Sequence, residues 1–118
     1  MFTKITYLKL ETLYVEAEGV LDIYRAPDYL DEIKDRLKTK YITELILEFS
    51  KISYIASIGL RAILELHKIM QERNGILKLR NVNDEILHSF KITGFEDFLT
   101  IENGYDIGED EGSEEQNN

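Results

Sequence analysis

Apolar and polar residues alternate along the first part of the chain in the manner of β-strands. Residues 5–10 and 12–18 are rich in Thr, Tyr, Ile, Leu and Val, and a break near Glu11 separates them. This pattern predicts a hairpin whose second strand turns one face towards a core. The side chains on that face are Leu13, Val15 and Ala17.

Three later segments carry apolar residues at helical spacing. The first is predicted to be a helix from about residue 26 to residue 40, with Pro27 in its first turn. The second is predicted to run from 57 to about 73. The third begins after Asn83, a favourable N-cap residue, and ends at Gly94.

Short apolar runs between these helices predict the remaining strands. Residues 45–49 are almost continuously apolar, which is typical of a strand covered on both faces in a parallel or mixed sheet. Residues 76–80 predict another strand, 95–99 one helical turn, and 100–101 a last short strand. The fold class is therefore α/β, with a small mixed sheet of about four or five strands covered by about four helices.

Length and charge place one domain and one tail in the chain. With 118 residues and 43% hydrophobic content, the sequence supports a single domain with a real core, assigned to residues 1–102. Residues 103–118 hold six of the 23 acidic residues and few apolar side chains, so they are predicted to be an acidic disordered tail. Without that tail and Glu102 the chain is nearly neutral. It has no basic stripe, and a nucleic-acid partner is not expected.

The composition also bears on redox state and location. The chain contains no cysteine, which removes disulfides, thiolate metal sites and thiol nucleophiles. The N-terminal residues lack the continuous apolar run of a signal peptide, and no stretch approaches the length of a membrane span. A cytoplasmic protein without a membrane partner is expected.

Ser57 has the most informative position, because it stands where a buried strand leads into a helix. Unpaired backbone N–H groups and the helix dipole favour negative charge at such a position. Two interpretations follow from the residues alone. Ser57 either caps the helix through its side-chain oxygen, or it is an exposed acceptor for a phosphoryl group.

Catalysis by Ser57 is not supported. A nucleophilic serine needs a base within hydrogen-bonding reach, and the only histidines are His67 and His88. His67 lies ten residues further along the same helix, which is about 15 Å at 1.5 Å per residue. Ile55 also stands where a nucleophile elbow has glycine. No metal-ligand spacing or nucleotide-binding loop is present, so no metal, cofactor or enzymatic activity is predicted.

Two carboxylates, Asp22 and Glu48, are candidates for a specific role. Asp22 precedes the first helix and is either a turn residue or sheet-edge carboxylate, or part of a surface near Ser57. Glu48 interrupts the apolar run of the central strand. Because an unpaired buried carboxylate is costly, Glu48 is expected to lie near the strand end or to accept hydrogen bonds.

Four segments together, in this order and spacing, resemble a STAS domain of the anti-sigma factor antagonist type. The resemblance covers about residues 5–101 and implies a small sheet covered by helices, in agreement with the pattern above. The segments are 20–23, 45–50, 55–61 and 81–95.

The resemblance implies a binding switch. Proteins of this type bind an anti-sigma factor that is also a serine kinase; phosphorylation ends the interaction and a serine phosphatase restores it. The acceptor falls on Ser57, and a partner-contacting Asp falls on Asp22. The implied docking surface contains Asp22, Ser57, Ile58, Gly59 and Arg61. The alternative is a non-phosphorylated STAS module that binds a protein or ligand in a signalling complex.

The chain departs from the common pattern of this type at three positions. The usual acceptor motif is Asp-Ser-Ser/Thr-Gly-Leu, whereas Ala56 here replaces the Asp and Ile58 replaces the second hydroxyl residue. Glu48 stands where Asp is usual at the end of the central strand. The acceptor serine and the Gly-Leu pair that completes the motif are present.

Overall fold

The computed structural model describes residues 2–9, 11–39 and 41–104, with the backbone alone for residues 2–9 and 39. The elements in chain order are β1 (Phe2–Lys9), β2 (Thr12–Leu21), α1 (Ala26–Thr39), β3 (Glu44–Ile55), α2 (Ser57–Glu72), β4 (Ile76–Arg80), α3 (Asp84–Thr93), a 3-10 turn (Phe95–Asp97) and β5 (Thr100–Glu102). Predicted tail residues 105–118 lie outside the described residues. Asn103 and Gly104 follow β5, and the Asn103 side chain accepts a hydrogen bond from the backbone N–H of Val82 at 2.9 Å.

The strands form one five-stranded sheet in the order β1-β2-β3-β4-β5. The β1–β2 hairpin is antiparallel, and the other three neighbouring pairs are parallel. The predicted α/β fold with a small mixed sheet is thus confirmed. The described part of the chain contains three α-helices and one 3-10 turn, close to the predicted number of helices.

The main core lies between one face of the sheet and the helices. Alternate residues of β2, β3 and β4 pack there against the apolar stripes of α1, α2 and α3, as the periodicity of each segment predicts. The most deeply buried members include Val15, Leu47, Leu79, Ile33, Ile63 and Phe90. Burying these stripes fixes which face of each helix lies against the sheet.

Both faces of β2 are buried over residues 12–17, whereas the alternating pattern predicts one buried face. Tyr14 and Ile46 form a second, smaller cluster on the face opposite the main core. The Tyr14 hydroxyl donates to the buried carboxylate of Glu48 at 3.1 Å, which also accepts from Asn81 Nδ2 at 3.0 Å and from the backbone N–H of Ser50 at 3.0 Å. The expectation that Glu48 finds donors is confirmed.

Charged side chains next to this cluster are paired with each other. Lys78 Nζ lies 2.7 Å from Glu44 Oε2, and Arg80 Nε donates to Glu102 Oε1 at 3.1 Å. Burial by itself raises the pKa of the Glu44 carboxyl, but hydrogen bonds from Lys78 and Thr12 outweigh it and hold that pKa below its ordinary value. The pairing with Glu44 likewise raises the pKa of Lys78. Because these charged side chains are at least half-buried, each needs an oppositely charged partner, and the pairs provide it.

Strand β3 is longer than the apolar run 45–49 predicted. It continues to Ile55, and its second half pairs with β2 from Glu18–Lys51 to Leu21–Ile55, beyond the last β4 partner of β3 at Glu48. Polar and exposed residues in this extension hide it from a search for apolar runs. The extension carries the chain past the body of the sheet before α2 begins.

Candidate functional site

The extended ends of β2 and β3 place two helix entrances side by side. The backbone N–H of Ala56 donates to the carbonyl of Leu21 at 2.9 Å, which joins the residue before α2 to the last residue of β2. We call the resulting region the corner; it consists of residues 22–25, which lead into α1, and residues 56–61, which begin α2. Two segments more than thirty positions apart in sequence therefore share one surface.

Asp22 holds the turn into α1. Its Oδ1 atom accepts hydrogen bonds from the backbone N–H groups of Tyr24 and Arg25, each at 3.0 Å, and its carbonyl accepts from Ala26 at 2.9 Å. Asp side chains commonly close turns in this way. Of the two interpretations of Asp22, the turn role is observed, and contact with a partner stays a prediction.

Ser57 is the first residue of α2 and its side chain is exposed. The N-cap is Ala56, in extended conformation, and it makes no side-chain capping bond. The interpretation of Ser57 as the helix cap is therefore wrong, because the capping position lies one residue earlier and holds a methyl group. The sequence does not reveal this shift, since helix boundaries are uncertain by one or two residues.

The first turn of α2 is open to negative charge. The backbone N–H groups of Gly59 and Leu60 bond to the Ala56 carbonyl at 2.9 and 3.0 Å, so those of Ser57 and Ile58 precede the first bond of the helix. No acidic residue lies in this turn. The positive end of the helix dipole thus stands beside an exposed hydroxyl without a neighbouring carboxylate from the same turn.

Gly59 lets α2 approach the sheet closely. A Cβ atom at this position would lie 2.6 Å from Ile55 Cγ1 and 2.8 Å from the carbonyl oxygen of Leu21. Gly59 is buried, so the structure gives it a packing role that the sequence interpretation did not include. Its predicted contact with a partner stays a prediction.

A groove of about 230 Å³ runs between the first turns of α1 and α2, next to Ser57. We call it the α1–α2 groove. Its apolar lining residues are Ala26, Pro27, Leu30, Ile58 and Ala62. Ala26 and Ala62 are buried, whereas Leu30 and Ile58 are half-buried and keep part of their apolar surface in contact with solvent.

Charged side chains form the rim of the α1–α2 groove. Asp31 stands on α1, and Arg61 and Glu65 stand on α2. Lys34 Nζ bridges the helices by donating to Glu65 Oε2 at 2.8 Å, and this hydrogen bond raises the pKa of Lys34. Arg61 lies four residues after Ser57, so the two side chains share one helical face.

Two exposed apolar side chains at the corner were not identified as site residues from the sequence. Ile23 is 65% exposed and Tyr24 is 81% exposed, both in the turn that Asp22 holds. The sequence does contain a signal for them: both are large and apolar, and a turn between a strand and a helix needs no such residue. Their exposure beside an accessible serine is typical of a protein-binding surface.

The structure brings all the predicted site residues to this corner. Asp22, Ser57, Ile58 and Arg61 are at least partly exposed there, with Gly59 buried beneath them. Neither histidine lies in the corner: the ring of His67 packs against Phe98 with centroids 4.9 Å apart, and His88 is on α3. The described residues contain no group of three His, Asp or Glu side chains that could hold a metal ion. None of the described helices has the length and apolar character needed to cross a membrane.

Sequence comparison links the chain to one family. The model of the STAS domain family matches residues 5–106. The chain is 26% identical over 93 residues to an anti-sigma-B factor antagonist of Staphylococcus aureus, covering 79% of this chain and 85% of the relative. It is 27% identical over 89 residues to an anti-sigma-B factor antagonist of Bacillus subtilis, covering 75% and 80%.

A solved structure shares the fold at low sequence identity. The Bacillus cell fate determinant SpoIIAA in its phosphorylated form superposes with a TM-score of 0.73 at 17% identity, covering 98% of this chain and 99% of that chain. The same fold is seen in the unphosphorylated form of the anti-sigma factor antagonist SpoIIAA, with a TM-score of 0.72.

Proposed function

Since this chain belongs to the STAS domain family, we propose that it is an anti-sigma factor antagonist that acts as a protein-binding switch. It binds an anti-sigma factor that is also a serine kinase, and it catalyses no reaction itself. The kinase phosphorylates Ser57, which ends the interaction, and a serine phosphatase reverses the modification. We propose that all of these steps take place in the cytoplasm.

The accessibility of Ser57 at the open start of α2 carries this proposal. Its side chain is exposed, and no side chain caps the helix. A phosphoryl group adds about −1.5 to −2 charges and three strong acceptor oxygens. Here it meets unpaired N–H groups and the positive end of the helix dipole, with no acid in the first turn to repel it. The modification therefore changes the surface and leaves the fold intact.

The docking surface is the corner itself. It consists of Asp22, Ser57, Ile58 and Arg61. Gly59 positions this surface, because the absence of a side chain lets the start of α2 lie close to Leu21. The exposed apolar side chains of the turn that follows Asp22 add desolvation energy when a partner covers them. A phosphate on Ser57 would place a strongly hydrated charge inside the covered area, and its desolvation cost opposes docking.

Intact-mass measurement after incubation with the cognate kinase tests the proposal. The purified protein is mixed with ATP and the anti-sigma factor kinase of the same organism. We expect one phosphoryl group on the wild type and none on Ser57→Ala. Ser53→Ala is the matched control, because Ser53 is also exposed and lies four residues earlier on β3, where its hydroxyl donates to the carbonyl of Gly19 at 3.2 Å. It should accept phosphate at Ser57 like the wild type.

The second candidate is a STAS interaction module that works without phosphorylation. Ala56 and Ile58 favour it, because they replace an acid and a hydroxyl residue of the usual acceptor motif. A wild-type protein that binds the kinase and gains no phosphoryl group would support this module and contradict the switch.

A further inference from the structure

We infer that the α1–α2 groove receives an apolar side chain of the anti-sigma factor kinase, and that Ile58 determines which kinase fits. This inference rests on the proposed function. The groove would be a specificity pocket beside Ser57, with Ile58 between the pocket and the acceptor hydroxyl. The groove begins at Ile58, the residue that follows Ser57, and continues along α2 to Ala62.

The space in the groove comes from small side chains at its centre. Ala26 on α1 and Ala62 on α2 are buried and line the groove with only a methyl group each, and the longer Leu30 and Ile58 border the remaining volume. About 230 Å³ lies between these apolar side chains and the charged rim, and the groove is open to solvent. An apolar side chain from a bound protein that covers the apolar lining removes it from water, which is favourable.

The position of the groove identifies its occupant. A kinase that transfers phosphate to the Ser57 hydroxyl must bring its active site into contact with the start of α2. Because Ile58 and Ala62 lie within about one and a half helical turns of Ser57, the same bound protein covers the groove. The occupant is thus a side chain of the kinase.

The charged rim of the groove predicts which charges flank this apolar side chain on the kinase. Asp31 on α1 and Arg61 on α2 are both exposed and stand on opposite walls of the groove. Glu65 is already engaged by Lys34 at 2.8 Å. A complementary kinase surface therefore has an apolar residue between a basic residue that faces Asp31 and an acidic residue that faces Arg61.

Ile58→Ala tests the inference, because it removes the side chain that borders the groove beside Ser57. The substitution takes away the apolar surface that the kinase residue covers, and it adds no hydroxyl next to the acceptor. We expect the affinity for the cognate kinase to fall about tenfold, the loss typical of an interface anchor. In steady-state phosphorylation, KM should rise with kcat changed by less than about twofold, as for lost binding that acts equally on ground and transition states.

Ile92→Ala is the matched control. Ile92 lies on α3 and is 71% exposed, outside the corner and the groove, so the same substitution there should leave affinity and KM unchanged. Thermal unfolding of both variants checks that the fold is retained. If Ile58→Ala binds and is phosphorylated like Ile92→Ala, the groove inference is overturned while the proposed function stands. If the wild type neither binds nor is phosphorylated, the proposed function fails and the inference falls with it.

Amide hydrogen exchange of the wild-type complex gives a second readout that needs no variant. Kinase binding should protect the first turn of α1, residues 26–30, as well as residues 56–62 of α2. Protection of α2 without any change in α1 would show that the groove stays uncovered, and it would overturn the inference even if phosphorylation of Ser57 is normal.

Discussion

The starts of α2 and α3 are built in opposite ways within one small domain. At α3, Asn83 accepts a hydrogen bond from the backbone N–H of Ile86 at 2.8 Å, and Asp84 and Glu85 place negative charge in the first turn. At α2, Ala56 makes no capping bond and the first turn contains no acid. At α3, the domain's own side chains pair with the backbone N–H groups and interact with the helix dipole. At α2, these N–H groups and the positive end of the dipole stay available to another group.

This difference separates stabilisation from function. A capping side chain and nearby acids typically stabilise a helix by about 1–2 kcal/mol in total. The α2 start forgoes this stabilisation at the place where an exposed serine stands, and its position is fixed by packing at Gly59 instead. An open helix end held rigidly by packing is suited to a covalent phosphate.

The largest effect is expected from Gly59→Ala, which attacks the packing that holds the α2 start. The added methyl group meets the backbone oxygen of Leu21 at 2.8 Å, and backbone yields little. We expect the free energy of unfolding to fall by about 2–3 kcal/mol in denaturant titrations. Gly94→Ala, at the α3 end, is the control: it meets no atom within 4 Å and has only the strain of φ +82°, which costs about 1 kcal/mol. Equal losses for the two variants would contradict the packing role of Gly59.

Asn83→Ala removes the device that distinguishes α3 from α2. The variant loses the capping bond to Ile86 and the bond from Asn83 Nδ2 to the carbonyl of Ile52 at 3.2 Å. Unfolding free energy should fall by about 1–2 kcal/mol. Kinase affinity should be unchanged, because α3 lies outside the corner. A weaker complex at equal folded fraction would show that the two helix starts are not functionally separate.

Ala56→Asp makes the α2 start resemble the α3 start. The carboxylate can accept from the unpaired N–H groups of the first turn and interact with the dipole, so stability at neutral pH should rise by about 1 kcal/mol. Added salt should reduce this gain only in part, because it screens the interaction with the dipole and leaves the capping hydrogen bond in place. Ala56→Val, which adds no acceptor and is as poor an N-cap residue as alanine, should give no gain in the same thermal scans. A destabilised Ala56→Asp protein would mean that the α2 start is not open.

Phosphorylation of Ser57 should itself stabilise the domain slightly. The phosphate interacts with the free N–H groups and with Arg61 four residues later, and we expect a gain of about 0.5 kcal/mol. In Ala56→Asp the gain should shrink, because the new carboxylate repels the phosphate and occupies the same donors. Comparing the unfolding midpoints of modified and unmodified protein in both backgrounds measures the effect. An undiminished gain in Ala56→Asp would place the phosphate away from the helix start.

Features encoded by local sequence were predictable, and features made by distant contacts were not. The helical spacing after Ser57, the cap at Asn83 and the stop at Gly94 follow from short-range patterns, and the structure has them. The second half of β3 was missed because it is held by pairing with β2, which its polar residues do not reveal. The buried network around Glu48 was foreseen only as a need for donors.

The candidate site shows the same limit. The sequence identified the corner through Ser57 and its neighbours, yet one of its two interpretations gave Ser57 the capping position, which Ala56 occupies. The α1–α2 groove was not predicted at all, because its lining combines small residues of two helices, Ala26 and Ala62, which share one surface only in the folded domain. Helix packing positions side chains that are distant in sequence, and single-chain periodicity contains no information on such pairs.

The affinity of unmodified and Ser57-phosphorylated protein for the cognate anti-sigma factor kinase tests the central claim most directly. Both forms are purified, their masses are verified, and their dissociation constants are measured by calorimetry under identical salt conditions. Our account predicts that the unmodified protein binds and that phosphorylation weakens binding by at least about tenfold, or about 1.4 kcal/mol. Equal affinities of the two forms would contradict the claim that charge at the open start of α2 controls docking.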